Sequence, residues 1–387
     1  MSIVVLGGDG YLGWPLSVKL ALHYPDEEIV IVDNLSRRSW VEEVGGRSLT
    51  PVLSPEDRVR AFERIFGTGN LRFVRADVCT DALDALVERH RPGTIFHLAQ
   101  QASAPYSMMD VDHAVRTVTN NETGNLRVLF AVRRLVPEAH VIKLGSFGEY
   151  AKNGLAIAEG YFRPAYRGRK ADCPTPFPRE SDDIYHITKI NDTNFIAMAC
   201  RKWGLRVTDI MQSTIFGVHT EETCRYPELY TRFDYDAVFG TVVNRFVTQA
   251  VANHPLTVYG TGHQRTGLMA LEDSLNSMVA LVRRIPAPGE HKVINHVTLA
   301  RYSVAEIAEW VVAHAGALGH RSSIHHDAFD PRRERPACKA DYEIETHYVS
   351  ENIHPTPIEK VIAETCRVVH RYRDRIDPSQ FQPRVSW

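Results

Sequence analysis

Residues 3–14 read IVVLGGDGYLGW and residues 29–34 read IVIVDN. The run Ile3 to Leu6 ends on glycine, and Gly7, Gly10 and Gly13 then recur at three-residue spacing before an apolar, helix-compatible stretch. Strand, glycine turn and helix follow one another in this order where a dinucleotide fold builds its phosphate turn. Glycine permits the tight turn and the close backbone approach, while the N–H groups opening the helix offer the pyrophosphate the positive end of the helix dipole. A second run, Ile29 to Val32, ends on Asp33, twenty residues past Gly13, where a carboxylate accepts hydrogen bonds from the adenosine ribose hydroxyls. A 2′-phosphate would meet that same negative charge, so the reading predicts NAD over NADP, although Arg37 and Arg38 stand close by.

Outward from this unit the rhythm continues. Leu71 to Val74, Thr94 to Leu98 and Ala139 to Lys143 are further short aliphatic runs separated by helical patterns, and they are continuously apolar rather than alternating. Such runs predict an α/β fold with a doubly wound parallel sheet of the Rossmann type, covered by helices on both faces. We expect an NAD-binding domain over 1–212, with an irregular excursion at 153–178 rich in Gly, Arg and Pro. A smaller, partly interleaved substrate lobe is expected over 213–387, with amphipathic helices at Val304 to Ala315 and Ile358 to Val369. The loop from Thr220 to Asp236 carries Tyr226, Tyr230 and Tyr235 and is expected to enclose substrate.

Composition narrows the class. The 387 residues carry 45 basic and 47 acidic side chains, a formal net charge of −2 that recommends neither nucleic acid nor an anionic membrane as partner. A small-molecule partner is expected. The start of the chain has no basic segment or cleavage site, and its apolar run meets Gly7 too early to span a bilayer, so a cytoplasmic location is expected. Six scattered cysteines without a CxxC pair argue against a disulfide framework and against structural zinc. The eighteen histidines lack metal-ligand spacing, and no metal is expected.

The catalytic signal lies in residues 184–190, IYHITKI, where Tyr185 and Lys189 stand one helical turn apart on a common face. An ammonium beside a phenol lowers a pKa of about 10, so the phenolate can take the proton of a sugar hydroxyl while hydride leaves the same carbon. Ser146 closes the strand-like HVIKLGS, where its hydroxyl can bond the same substrate oxygen. Glycine turn, Ser146, Tyr185 and Lys189 occur in that order.

With these residues the chain resembles the extended short-chain dehydrogenase/reductase (NAD-dependent epimerase/dehydratase) family over nearly its whole length. Within that family it is most similar to the branch that adds sulfite to a sugar nucleotide, through GGDGYLGW, VDNLSRR, SAPYSM, KLGSFGEY, DYDAVFGT, HPLTVYG and the terminal PRVSW. The resemblance implies that Ser146, Tyr185 and Lys189 carry hydride transfer. It implies that Asn34, Arg37, Asp77, Val78, Gln100 and Asn121 join Gly7, Gly10, Gly13 and Asp33 along the cofactor groove. Gln101 and His186 are implied to face substrate, and a homodimer is the implied assembly.

Departures from the family pattern fall in the substrate site. Ala102 stands where the family carries an arginine, and Thr266 stands where another is expected, with Arg265 displaced by one position. On an extended strand that shift turns the side chain to the other face. Ala270 replaces an aspartate, while Arg332 still matches the family's phosphate-reading arginine. The Asp-Glu pair of sugar-nucleotide dehydratases is replaced by Phe147 and Gly148, leaving Glu149 and Tyr150 as candidate acid/base groups. We therefore expect a sugar dehydratase acting on a nucleoside or nucleotide sugar by transient oxidation, water elimination and hydride return. Sulfite addition to a sugar nucleotide and simple epimerisation are the alternatives, and Arg265 and Arg332 the candidate anion contacts.

Overall fold

In the computed structural model the described residues are 2–151, 154–328 and 342–382. Seven parallel strands form the central sheet: β1 (Ser2–Leu6), β2 (Glu28–Asp33), β3 (Leu71–Arg75), β4 (Thr94–His97), β5 (His140–Leu144), β6 (Arg206–Gln212) and β7 (His291–His296). Their spatial order is β7-β6-β5-β4-β1-β2-β3. The order reverses between β1 and β4, and at such a switch point a crevice opens beyond the carboxyl ends of the strands.

The continuous apolar runs have their cause in this layering. Ile3, Val5, Ile29, Ile31, Phe96, Ile142 and Ile210 pack on one side of the sheet with α1 (Gly13–His23) and with Leu275, Met278 and Leu281 of the helix Leu271–Leu281. Val4, Leu6, Val30, Val32, Ile95, Val141 and Val207 pack on the other, against helices such as Ala82–His90, Gly124–Leu135 and Ile184–Trp203. Neighbouring residues of one strand thus enter two different cores, and neither face tolerates polar alternation.

Strands β6 and β7 are additions to the sequence reading. β6 (RVTDIMQ) carries Thr208, Asp209 and Gln212 among its apolar residues, and β7 is supplied by a segment about eighty residues downstream, so neither shows as an aliphatic run. Beyond β6 the chain builds a smaller lobe and returns once to the sheet as β7. That lobe contains the strands Thr214–Phe216, Arg265–Ala270 and Arg301–Ser303, and the parallel pair Leu256–Tyr259 and Ile324–Asp327. The two expected amphipathic helices run Val304–Ala317 and Ile358–Arg371 and bury Ile307, Val311, Ile362 and Val369 in its core. The excursion contains two short hairpins, Tyr161–Phe162 with Thr175–Pro176 and Ala165–Tyr166 with Arg169–Lys170.

The loop 220–236 departs from its expected role. Tyr230 and Tyr235 are buried in the lobe core, and Tyr226 packs edge-on to Phe66 at 5.7 Å. An aromatic ring gains more by filling apolar space than by lining a wet cleft. What the loop gives the cleft is charge, through Asp234, which is paired with the buried Arg232.

Candidate active site

The glycine turn closes on the end of β1. Gly7 has φ +81°, its N–H donates to Val32 O at 2.8 Å, and a Cβ there would lie 2.6 Å from the Leu98 carbonyl carbon. A Cβ on Gly13 would lie 2.2 Å from Gly7 O. Only hydrogens fit at these two positions, and the turn is folded tightly against both neighbouring strands. Beyond it a cleft opens at the switch point, lined among others by Gly7, Gly10, Gly13, Asp33, Asn34 and Arg37. Val78, Gln100, Ala102 and Asn244 continue its wall.

Asp33 lies in this wall, its carboxylate accepting from Asp9 N at 2.9 Å and Leu35 N at 2.7 Å. Burial and the neighbouring Asp9 carboxylate raise its pKa. Each carboxylate oxygen keeps a further lone pair for a ribose hydroxyl. Both adjacent arginines are paired with carboxylates: Arg38 forks onto Asp9 at 2.7 and 2.8 Å, and Arg37 pairs with Asp234 at 2.8 Å with its guanidinium 4.0 Å from the Phe239 ring centre. Asp9 also pairs with the buried Arg58, which lies 4.2 Å from the Trp14 ring centre. A glycine-lined turn, a ribose-facing carboxylate and engaged arginines fit NAD.

Two residues implied to line the groove, Asn121 and Asp77, are not among the residues that line the cleft, and each braces a neighbouring turn. Asn121, on the π-helical turn Thr119–Thr123, accepts from Gln101 N at 2.8 Å and donates to Gln101 O at 3.1 Å and Thr188 Oγ1 at 2.9 Å, so no side-chain donor is left for a ligand. Asp77 accepts from Asn34 Nδ2 at 3.0 Å and Cys79 N at 2.8 Å, behind the lining residue Val78. Gln101 is buried, and both polar atoms of its side chain lack a partner among the described residues.

Tyr185 and Lys189 sit in the first turns of the helix Ile184–Trp203, whose N-cap Asp183 accepts from His186 N at 2.9 Å. Ser146, two residues past β5, acts on the Tyr185 phenol and favours its ionised form. The Lys189 ammonium lies 5.6 Å from the Tyr185 ring centre, donates to Leu144 O at 2.6 Å and also donates to Gln100 Oε1. Burial, with Glu149 and Asp183 nearby, pushes the phenol upward, and Ser146 and Arg37 act against that rise. Burial and Lys143 push the Lys189 ammonium down. His186 Nδ1 pairs with Asp183 at 2.6 Å, and its Nε2 lies where a Cβ on Gly148 would be only 2.3 Å away. Gly148 therefore makes room for the imidazole beside Tyr185, with the two rings 4.6 Å apart.

Glu149 does not fit the acid/base role expected of it. Its carboxylate accepts from Ser146 N at 2.7 Å, closing a capping box, and pairs with the buried Arg179. Tyr150 is buried beside it, its hydroxyl donating to Asn295 Oδ1 at 2.6 Å. Both groups hold the turn that aims Ser146. Arg265 is likewise no cleft residue: it is exposed, donates to Arg301 O at 2.9 Å and lies 3.6 Å from Glu306, on the outer end of its strand. Arg332 lies outside the described residues. Trp40, Asp234, Phe239, Thr241 and Asn244 line the cleft and were missed as site residues. The similarity motif DYDAVFGT contains three of them and was the available signal.

The chain belongs to the NAD dependent epimerase/dehydratase family, whose model matches residues 3–295. It is an NAD-dependent enzyme of that family. It is 42% identical over 320 residues to the UDP-sulfoquinovose synthase of Sulfolobus acidocaldarius, covering 82% of this chain and 80% of that one. It is 35% identical to the chloroplastic UDP-sulfoquinovose synthase of Spinacia oleracea, covering 100% of this chain and 79% of the relative. Among solved structures, the UDP-glucuronic acid 4-epimerase of Bacillus cereus in complex with UDP-glucuronic acid and NAD superposes with a TM-score of 0.68 at 16% identity, covering 97% of this chain and 99% of that chain. That likeness bears on the fold alone. Among the described residues, no helix is long and apolar enough to cross a membrane.

Proposed function

We propose that this enzyme removes water from a sugar carried on a nucleoside or nucleotide, which makes it a lyase in net reaction. Residues 1–212 act as the NAD-binding domain and 213–387 as the substrate lobe. The observation that carries the reading is that Lys189, with Tyr185 on the same helix turn, is bonded to Gln100 and Leu144 in the wall of a dinucleotide cleft that presents Ala102 in place of a cation. Bound NAD supplies the hydride acceptor and donor.

Tyr185, as phenolate, takes the proton of a secondary hydroxyl, and Ser146 donates a hydrogen bond to the oxygen as it becomes a carbonyl. Lys189 holds the phenolate's charge. The new carbonyl acidifies the neighbouring C–H, and His186 takes that proton through Nε2, since Nδ1 is held by Asp183. The C–H electron pair forms the double bond as the β-hydroxyl departs with the proton that His186 has just taken, releasing water and leaving His186 neutral again. Return of hydride and of the Tyr185 proton restores the alcohol.

The identities to UDP-sulfoquinovose synthases favour a second reading, in which the same intermediate accepts sulfite. Mass spectrometry separates the two. UDP-glucose with sulfite is supplied to one sample and a panel of nucleosides and sugar nucleotides without sulfite to another. Loss of water without sulfite supports the dehydratase, whereas efficient UDP-sulfoquinovose formation refutes it.

The assembly we propose is a homodimer. Val111, Val115 and Val118 form an exposed apolar stripe on the helix Val111–Val118, near the exposed Ile187 of the packed catalytic helix. A two-fold pairing covers such a self-complementary stripe with its own copy. Val115→Arg should give a monomer by sedimentation, and an unchanged mass would reject this face. Five described cysteines are free thiols, which suits the reducing cytoplasm.

A further inference from the structure

Behind Tyr185 lies a buried charge cluster that the hydride step does not itself use. Lys143 of β5 stands with its ammonium 3.8 Å from Asp192 and 3.8 Å from Asp209, all three side chains having no exposed area. Asp209 accepts from Thr193 Oγ1 at 2.6 Å, and Glu149 and Arg179 pair next to it. Burying three carboxylates with the cations Lys143, Lys189 and Arg179 is expensive unless each is held in place.

One line through this cluster reaches the catalytic lysine. The Gln100 amide donates to Asp192 Oδ2 and accepts from Lys189 Nζ. The orientation of an amide is read from its partners, and here both partners act in one direction only: a carboxylate accepts and an ammonium donates. We propose that Asp192 is a positioning residue for the hydride step, holding the Gln100 amide so that its oxygen, and not its NH2 group, faces Lys189. With Leu144 O as second acceptor at 2.6 Å, the ammonium is fixed beside the phenol with one N–H left to point into the site. Without the carboxylate the amide is free to turn, its NH2 opposes the ammonium, and the phenolate loses its cation. This inference rests on Tyr185 being the base.

The charged and titratable groups around Asp192 are Lys189 on its own helix, Lys143 from β5, and Asp209 from β6 beyond Lys143. Glu149 also acts on it, Arg179 pairs with Glu149, and His97, at the end of β4, feels both lysines. Asn125 of the helix Gly124–Leu135 reaches only the Asp192 backbone, at 3.4 Å. The anions that act most on Tyr185 are Glu149 and Asp183. Deleting the Asp192 charge would by direct electrostatics lower the phenol's pKa, whereas acting through Gln100 and Lys189 it raises it, so the sign of the shift identifies the route.

The experiment is a tyrosinate titration of the purified protein by ultraviolet difference spectroscopy, with Tyr185→Phe subtracted to isolate Tyr185. Asp192→Asn should raise the Tyr185 midpoint by about one pH unit or more. Gln100→Glu in the Asp192→Asn background restores an oxygen toward Lys189 and keeps the total charge, and should return most of the shift. An unmoved or lowered midpoint in Asp192→Asn, or a double variant no closer to wild type, overturns the inference. Should Asp192→Asn fail to fold by circular dichroism, Gln100→Met, which leaves the buried charges in place, must raise the midpoint, and a wild-type value there overturns it equally. If wild type and Tyr185→Phe titrate identically, Tyr185 is not the base and both readings fall.

Discussion

Substituting Gly13 by alanine tests the cofactor cleft without any knowledge of the substrate. The added methyl would lie 2.2 Å from Gly7 O and 2.7 Å from the Gly8 Cα, both backbone atoms of the phosphate turn. An ordinary carbon contact is about 3.5 Å or more, so turn and helix must separate by about 1 Å, and no flexible side chain can absorb the change. Overpacking of this kind costs about 1–3 kcal/mol. The strain falls on the N–H groups that hold the pyrophosphate, and 2–3 kcal/mol is roughly a 30- to 150-fold loss of NAD affinity at about 1.4 kcal/mol per tenfold. Gly67→Ala is the control: its φ of +69° carries strain, but no atom lies within 4 Å of the new methyl and the cleft is untouched. NAD binding to stripped protein by calorimetry, with Tm alongside, measures both. Wild-type NAD affinity and Tm in Gly13→Ala would refute the close approach of helix and turn on which the cofactor assignment stands.

Three further outcomes are expected. Asp33→Ala should weaken NAD by about 1.5–3 kcal/mol, the range for a charge-assisted hydrogen bond, and narrow the preference over NADP; equal NAD binding by direct titration would contradict the ribose contact. Tyr185→Phe keeps the ring packing and should lower turnover roughly a hundredfold or more with NAD still bound, whereas near-normal turnover would remove Tyr185 as base. Burial lowers His97 and His296 to about 3 and His140 to about 4. The unfolded chain therefore binds protons that the folded one refuses, and stability present at pH 7 is lost as pH falls below about 6.5, by about 2 kcal/mol per histidine at pH 5. Tm measured from pH 7.5 to 5 should fall accordingly, and a flat profile would show that these imidazoles are not held neutral.

Short-range chemistry made the phosphate turn, Asp33 and the Tyr185–Lys189 pair legible, because each depends on a spacing inside one element or one turn. The same holds for the sheet's apolar runs, where two cores claim alternate residues of one strand. Which polar side chains remain free for chemistry is a different matter, since that depends on partners far away in the chain. Glu149 was a reasonable acid/base candidate until Arg179, thirty residues on, and the Ser146 amide claimed its two oxygens. Asn121 is expected beside the cofactor from its motif, and the fold gives both its amide hydrogens to Gln101 O and to Thr188, sixty-seven residues away.

Arg37 shows the same division in the cofactor site: its place after β2 is a property of the local sequence, and its capture by Asp234, 197 residues away, is a property of the fold. β7 likewise joins the sheet because β6 offers it an unpaired edge, a demand that no local pattern records. The sequence alone therefore determined the dinucleotide class, the expected choice of NAD and the expected catalytic pair. Only the tertiary structure decided which charges are spent on holding the site and which are left to act, because a buried polar group takes whatever partner the fold brings within hydrogen-bond reach.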